Sequence, residues 1–135
     1  MTRRFAFIAA LLMASAASAQ PPRIQYMIHC LGCHTMDGTG VPGKVPNLRT
    51  EMPALLHVEG GREYMVQVPG SAQAPLSDAE VAAVLNFILD EFAEVDLPSG
   101  FQPYTAEEVA RLRPDAPVDI TETRAKLLEM LESKH

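Results

Sequence analysis

The residues of this chain best suited to chemistry lie in one short run, Cys30-Leu31-Gly32-Cys33-His34, which contains both of its cysteines. A C-x-x-C-H spacing is typical of the covalent attachment site of a c-type haem. On a helix, positions three and four apart share one face, so two thiols and an imidazole can reach one macrocycle and its iron together. Gly32 adds no side chain that would obstruct the porphyrin edge. We therefore predict that Cys30 and Cys33 bind haem covalently and that His34 is an axial iron ligand.

Three other interpretations of the two cysteines are open. A thioredoxin-like redox pair needs the C-x-x-C run at the start of a helix that follows a buried strand, whereas here the run ends a predicted helix. A zinc site needs four ligands, and the remaining histidines, His29, His57 and His135, are not spaced to supply them. A structural disulfide suits an oxidising compartment but leaves the adjacent histidine without a role. The haem site accounts for all three side chains.

Helices are expected to position this motif, because apolar residues recur at spacings of three and four and no strand-like alternation is sustained. The predicted helices of the first two thirds of the chain span about 22–35, 51–58, 62–68 and 78–92. The last of these is the strongest, since Ser77 and Glu80 form a capping box ahead of its apolar stripe. Two further helices are predicted to begin at Thr105 and Asp119. The fold class is all-α.

The two ends of the chain differ from its middle. Arg3 and Arg4 precede a short apolar run that ends in the small residues 17–19, which predicts a signal peptide over 1–19, with an uncleaved anchor as the alternative. We assign 20–97 to the main domain and 98–135 to a C-terminal helical extension. Loss of the two arginines takes the formal charge from −6 to −8. Such acidity argues against nucleic acid and anionic lipid as partners, and no later segment is apolar enough to span a membrane.

Three runs resemble the small class I monohaem cytochromes c, and they follow the family's order. They are the haem motif, the Pro-x-Leu element at 46–48, and Leu-Ser-Asp-x-Glu at 76–80, which is typical of the start of the closing helix. The resemblance covers about 24–92 and implies a cytochrome c-like helical domain around one covalently bound haem c. It also implies that the carbonyl of Pro46 accepts a hydrogen bond from the axial histidine, which would hold the imidazole ring.

The chain departs from this family at the sixth iron ligand. The family usually supplies a methionine from the loop ahead of the closing helix, but 69–75 contains none. The candidates are therefore Met65, Met52, His57 and no protein ligand at all. Met65 lies in a segment that resembles the short helix lining the family's distal face, and we prefer it. The alternative role of Met65 is core packing, because thioethers fill irregular gaps well.

These features predict a periplasmic one-electron carrier rather than an enzyme. Its partners would be redox proteins, with a periplasmic dehydrogenase and a terminal oxidase as candidate classes. Two alternatives stay open. One is a haem protein with an open distal site that binds or transforms a small ligand, and the other is a haem subunit held inside a larger periplasmic dehydrogenase by the C-terminal extension.

Overall fold

A computed structural model describes residues 20–134, and all regular secondary structure in that range is helical. The signal peptide predicted at 1–19 lies outside the described residues. The helices are α1 (Pro22–His29), α2 (Glu51–Leu55), α3 (Gly61–Gln67), α4 (Pro69–Ala72), α5 (Asp78–Phe92), α6 (Ala106–Leu112) and α7 (Ile120–Glu132), with a 3-10 turn at Arg113–Asp115. The predicted all-α class is confirmed. Between residues 20 and 134, no helix is long and apolar enough to cross a membrane.

Helix α5 is central to the core. Its predicted capping box is present: the Ser77 hydroxyl accepts from the amide of Glu80, and the Glu80 carboxylate accepts from the amide of Ser77 at 2.9 Å. Helix α1 packs against α5 through Tyr26, which is buried and meets the ring of Phe92 edge-on at 5.2 Å between centroids. The apolar stripe of α5 is buried along its whole length, at Val81, Val84, Leu85, Ile88, Leu89 and Phe92.

Helix α1 is shorter than predicted, because it ends at His29 rather than near residue 35. The amides of Cys30 and Leu31 both donate to the carbonyl of Tyr26, which interrupts the regular helical pattern there. The haem motif therefore lies in turns after the helix, not on its face. The prediction that a helix places these side chains together was wrong in this respect.

The C-terminal extension belongs to the same core as the rest of the molecule. Tyr104, Val109 and Leu127 are buried in the hydrophobic cluster that contains the α5 stripe. The side-chain amide of Asn86 on α5 pairs with the backbone of Tyr104, donating to its carbonyl at 3.0 Å and accepting from its amide at 2.8 Å. Helix α6 thus packs directly on α5.

Candidate functional site

A cavity of about 460 Å³ opens beside the motif, and Cys30, Cys33 and His34 all line it. The rest of the lining comes from α2, α3, α5, the loop 44–48, segment 68–76 and α7, and it is largely apolar. This volume lies within the range of cofactor pockets in proteins. The predicted site residues Pro46 and Met65 reach the same cavity.

A tight turn places the three motif side chains. The amides of Cys33 and His34 donate to the carbonyl of Cys30 at 3.1 and 2.9 Å, so the chain folds back on itself within five residues. The hydroxyl of Tyr26 donates to the carbonyl of Thr35 at 2.6 Å and ties the end of the turn to the buried face of α1. The thiols and the imidazole are therefore positioned by backbone hydrogen bonds and one buried tyrosine.

Burial sets the protonation states of the motif. It raises the pKa of the Cys30 thiol to about 11, with a smaller contribution from the neighbouring Cys33, so this free thiol is protonated at neutral pH. Burial lowers the pKa of His34 below its ordinary value. A neutral imidazole keeps a ring lone pair, which is the form that binds a metal.

The Nδ1 atom of His34 is buried without a hydrogen-bond partner. Within residues 20–134 no other side-chain nitrogen or oxygen is both fully buried and unpaired. The carbonyl of Pro46 lies close enough to the ring to raise its pKa in part, but it does not complete a hydrogen bond to Nδ1. A buried polar atom without a hydrogen bond costs folding free energy, so a group that pairs with the ring of His34 would stabilise the site.

Gly40 allows the carbonyl of Pro46 to approach this part of the site. Its φ of +69° lies in the left-handed region, and a Cβ built on it would be 2.5 Å from the Pro46 oxygen. Any other residue would push that carbonyl away or strain the loop. The loop itself is folded back by the bond from the Leu48 amide to the Gly38 carbonyl, at 2.8 Å.

The candidates for the sixth ligand are separated by their positions. Met65 and Met52 are both buried and both line the cavity. His57 is exposed and is not among the lining residues, and its Nε2 lies 2.7 Å from the carbonyl of Asp96. The geometry therefore favours a methionine over His57.

Sequence reasoning missed the contribution of the C-terminal extension to the cavity. Ile120, Thr121 and Arg124 of α7 are lining residues. The Arg124 guanidinium pairs with both carboxylate oxygens of Glu51 on α2, with its Nε 2.6 Å from Oε1. The two residues are 73 positions apart, so no local spacing pattern could have indicated the pair.

The residues around the cavity fit a covalently bound haem. Two free thiols and a neutral imidazole with an unpaired ring nitrogen face one largely apolar space. A c-type haem needs two thiols for thioether bonds, one imidazole for the iron, and apolar walls around the macrocycle. The donor set and the lining satisfy these requirements.

Comparison with known proteins gives two relatives, both of them cytochromes c-552 of Thermus thermophilus. No family model matches the chain. The chain is 37% identical over 124 residues to the first relative, with 78% of this chain and 84% of that protein covered. It is 39% identical over 102 residues to the second, with 62% of this chain and 78% of that protein covered.

Proposed function

Because this chain belongs to the class I monohaem cytochromes c, which are electron carriers with covalently bound haem c, we propose that Cys30, Cys33 and His34 form its haem site. One observation carries the proposal: the three side chains line one cavity, in which the buried Nδ1 of His34 has no partner. The comparisons favour an electron carrier over a haem protein with an open distal site and over a dehydrogenase subunit.

The haem supplies an iron that gains and loses one electron. In the proposed site Cys30 and Cys33 would hold the haem through thioethers, each formed by addition of the S–H across a vinyl C=C of the haem, and a ring nitrogen of His34 would bind the iron. The carbonyl of Pro46 lies near the ring and would accept a hydrogen bond from the other ring nitrogen, which would orient the imidazole. The apolar stripe of α5 keeps water away, and such a low dielectric helps to set the reduction potential.

Met65 is the proposed sixth ligand. It is buried on α3 and lines the cavity, and a thioether in that position would raise the reduction potential relative to a second histidine. Met52 of α2 is the competing residue, because it is equally buried and lines the same space.

Export to the periplasm after removal of 1–19 is also part of the proposal. The remaining chain carries a formal charge of −8, which favours a basic surface on the redox partner and faster encounter at low salt. A periplasmic dehydrogenase as donor and a terminal oxidase as acceptor are the proposed partner classes. Electron-transfer rates with a basic partner should fall as ionic strength rises. A rate independent of salt would exclude electrostatic attraction as the cause of fast encounter between the two proteins.

Covalent attachment is the direct test. The protein, produced together with a cytochrome c maturation system, should keep its haem through denaturing electrophoresis and acid acetone extraction. Cys30→Ala and Cys33→Ala should each leave single-bond attachment. His34→Ala keeps both thiols and should change the absorption spectrum through loss of the axial ligand. Loss of all haem from the unaltered protein under these conditions would overturn the proposal.

A further inference from the structure

Segment 69–76 forms part of the cavity wall although none of its side chains is buried. It includes the short helix α4 and the turn that leads to α5. Its local hydrogen bonds run to the carbonyls of Val68 and Pro69, at its own beginning. Leu76, at the end of the segment, is partly buried against the core, but residues 69–75 contribute no side chain to the hydrophobic cluster. Because this part of the wall lacks the apolar anchors that usually hold a segment in place, further support must come from elsewhere in the molecule.

Arg113 provides that support. Its Nη1 donates to the carbonyl of Leu76 and to a carboxylate oxygen of Asp78, both at 2.9 Å. Its Nη2 donates to the carbonyls of Ala72 and Ala74 at 3.1 and 2.8 Å, and its Nε to that of Ala72 at 3.3 Å. The side chain is only 17% exposed. One guanidinium therefore holds three carbonyls of the segment, and hydrogen bonds from an ionised donor are the strong ones.

The residues that anchor Arg113 do not depend on segment 69–76. Arg113 follows α6 directly, and α6 is fixed to the core by Val109, which is fully buried. The α6 carboxylate of Glu108 accepts two hydrogen bonds from Arg62 on α3, at 2.6 and 2.7 Å. The guanidinium of Arg113 is thus presented to the segment from a firmly packed element of the C-terminal extension.

We infer that Arg113 is a positioning residue of the haem site, which holds segment 69–76 closed over the cavity and so limits the entry of exogenous ligands. The inference rests on the proposed haem site. A segment without buried side chains opens at a small free-energy cost, and the hydrogen bonds of Arg113 raise that cost. Without them the segment should open more often, and small molecules should reach the cavity faster.

Two measurements on the holoprotein test this inference. Arg113→Gln should increase amide hydrogen exchange at residues 71–73, and it should increase the rate at which imidazole binds the ferric protein, each by about 10-fold or more. Arg113→Lys should be intermediate, because an ammonium has three donors in place of five and lacks the planar fork.

Two control variants separate positioning from general destabilisation. Arg111→Gln removes an exposed charge at the end of α6, two residues before Arg113, and should leave both rates unchanged. Leu127→Ala weakens the core from α7 but keeps α6 and the Arg113 contacts, so exchange at 71–73 should rise far less than in Arg113→Gln. Rates in Arg113→Gln equal to those of the parent, or equal to those of Leu127→Ala, would overturn the inference.

The same samples distinguish this inference from the proposed function. Haem retention through denaturing electrophoresis is measured on each variant. A parent protein without covalent haem would defeat the proposed site, whereas hydrogen exchange at 71–73 would still show whether Arg113 holds the segment. Unchanged exchange in an Arg113→Gln protein that retains haem would defeat the inference alone.

Discussion

His34 illustrates how burial prepares a side chain for its role. Removal from water lowers its pKa, and Nδ1 is left buried without a partner. The unpaired Nδ1 is unfavourable for folding of the chain without a bound group, because a buried unpaired polar atom costs free energy. The lowered pKa destabilises the fold only below about pH 6.5, where the unfolded chain takes up a proton that the buried ring does not. A hydrogen bond from one ring nitrogen, with a metal bound at the other, would remove the cost of the unpaired atom. The site is therefore expected to gain stability when haem is attached.

Met65→Ala tests the sixth ligand. If Met65 coordinates the iron, the variant should lose the weak far-red absorption band of methionine-ligated ferric haem and bind carbon monoxide more tightly in the ferrous state. Met52→Ala is the matched control, since both side chains are buried and both substitutions should cost about 2–5 kcal/mol of stability. The spectrum, not the melting temperature, therefore discriminates. A band that persists in Met65→Ala and vanishes in Met52→Ala would identify Met52 instead.

Gly40→Ala tests the approach of the Pro46 carbonyl to the site. Gly43→Ala is its control, because Gly43 also has a positive φ, +73°, but a Cβ there would meet nothing within 4 Å. Both substitutions should cost about 1 kcal/mol from backbone strain. Gly40→Ala should lower the melting temperature further and raise the reduction potential, because His34 loses an acceptor that makes it a better donor. Equal effects of the two variants would show that the close contact has no role.

The role of a single residue could be predicted where the pattern that reveals it lies within a few neighbouring positions of the sequence. The motif from Cys30 to His34 is contiguous, so its spacing alone indicated its chemistry. The contact between Gly40 and Pro46 depends on how a loop folds back, and no spacing rule gives that approach. Arg113 and Arg124 were also missed, since their partners lie 35 to 73 positions away.

Among the helices, α5 was predicted over 78–92, the bounds that the structure has. Its capping box and its apolar stripe are both formed by residues that lie close together in the sequence, so both can be recognised without knowledge of the fold. Helix α1 ends early because two amides share the carbonyl of Tyr26, and no side chain signals that geometry. Contacts between helices could not be predicted either. The ion pair between Arg62 of α3 and Glu108 of α6, for example, joins residues 46 positions apart.

Glu108→Gln tests how α6 is held on α3. Hydrogen bonds from Arg62 hold the pKa of Glu108 below its ordinary value of 4.5. A depressed folded-state pKa means that the ionised pair stabilises the fold above about pH 4.5 and that this contribution is lost as pH falls through the folded-state value. The variant should therefore be less stable than the parent by about 1–3 kcal/mol at pH 7, and the difference should shrink in acid.

Chemical denaturation of the Glu108 variant at several pH values provides the measurement. Glu107→Gln is the matched control, because Glu107 is exposed at the adjacent position and its side chain makes no hydrogen bond to any of residues 20–134. It should change stability by only a few tenths of a kcal/mol. A deficit in Glu108→Gln that is the same at pH 3 as at pH 7 would show that the charge of the carboxylate does not matter.

At the level of the whole molecule, the C-terminal extension is continuous with the main domain. Its residues contribute to the hydrophobic core, to the cavity lining through α7, and to the support of segment 69–76 through Arg113. These three contacts involve different parts of the extension. The cavity is therefore enclosed by residues from both sides of the boundary that we predicted between residues 97 and 98.

Truncation tests this continuity. A chain ending at residue 97 loses the buried side chains of Tyr104, Val109 and Leu127, whose burial is worth about 5 kcal/mol together. Small domains have a total stability of about 5–15 kcal/mol, so the truncated chain should unfold well below the melting temperature of the parent and accept little haem. A chain ending at residue 131 keeps all three side chains and should behave like the parent in thermal unfolding and in haem content. If the chain ending at 97 shows the parent's haem spectrum and melting temperature, the extension is an independent appendage and the shared core does not stabilise the haem site.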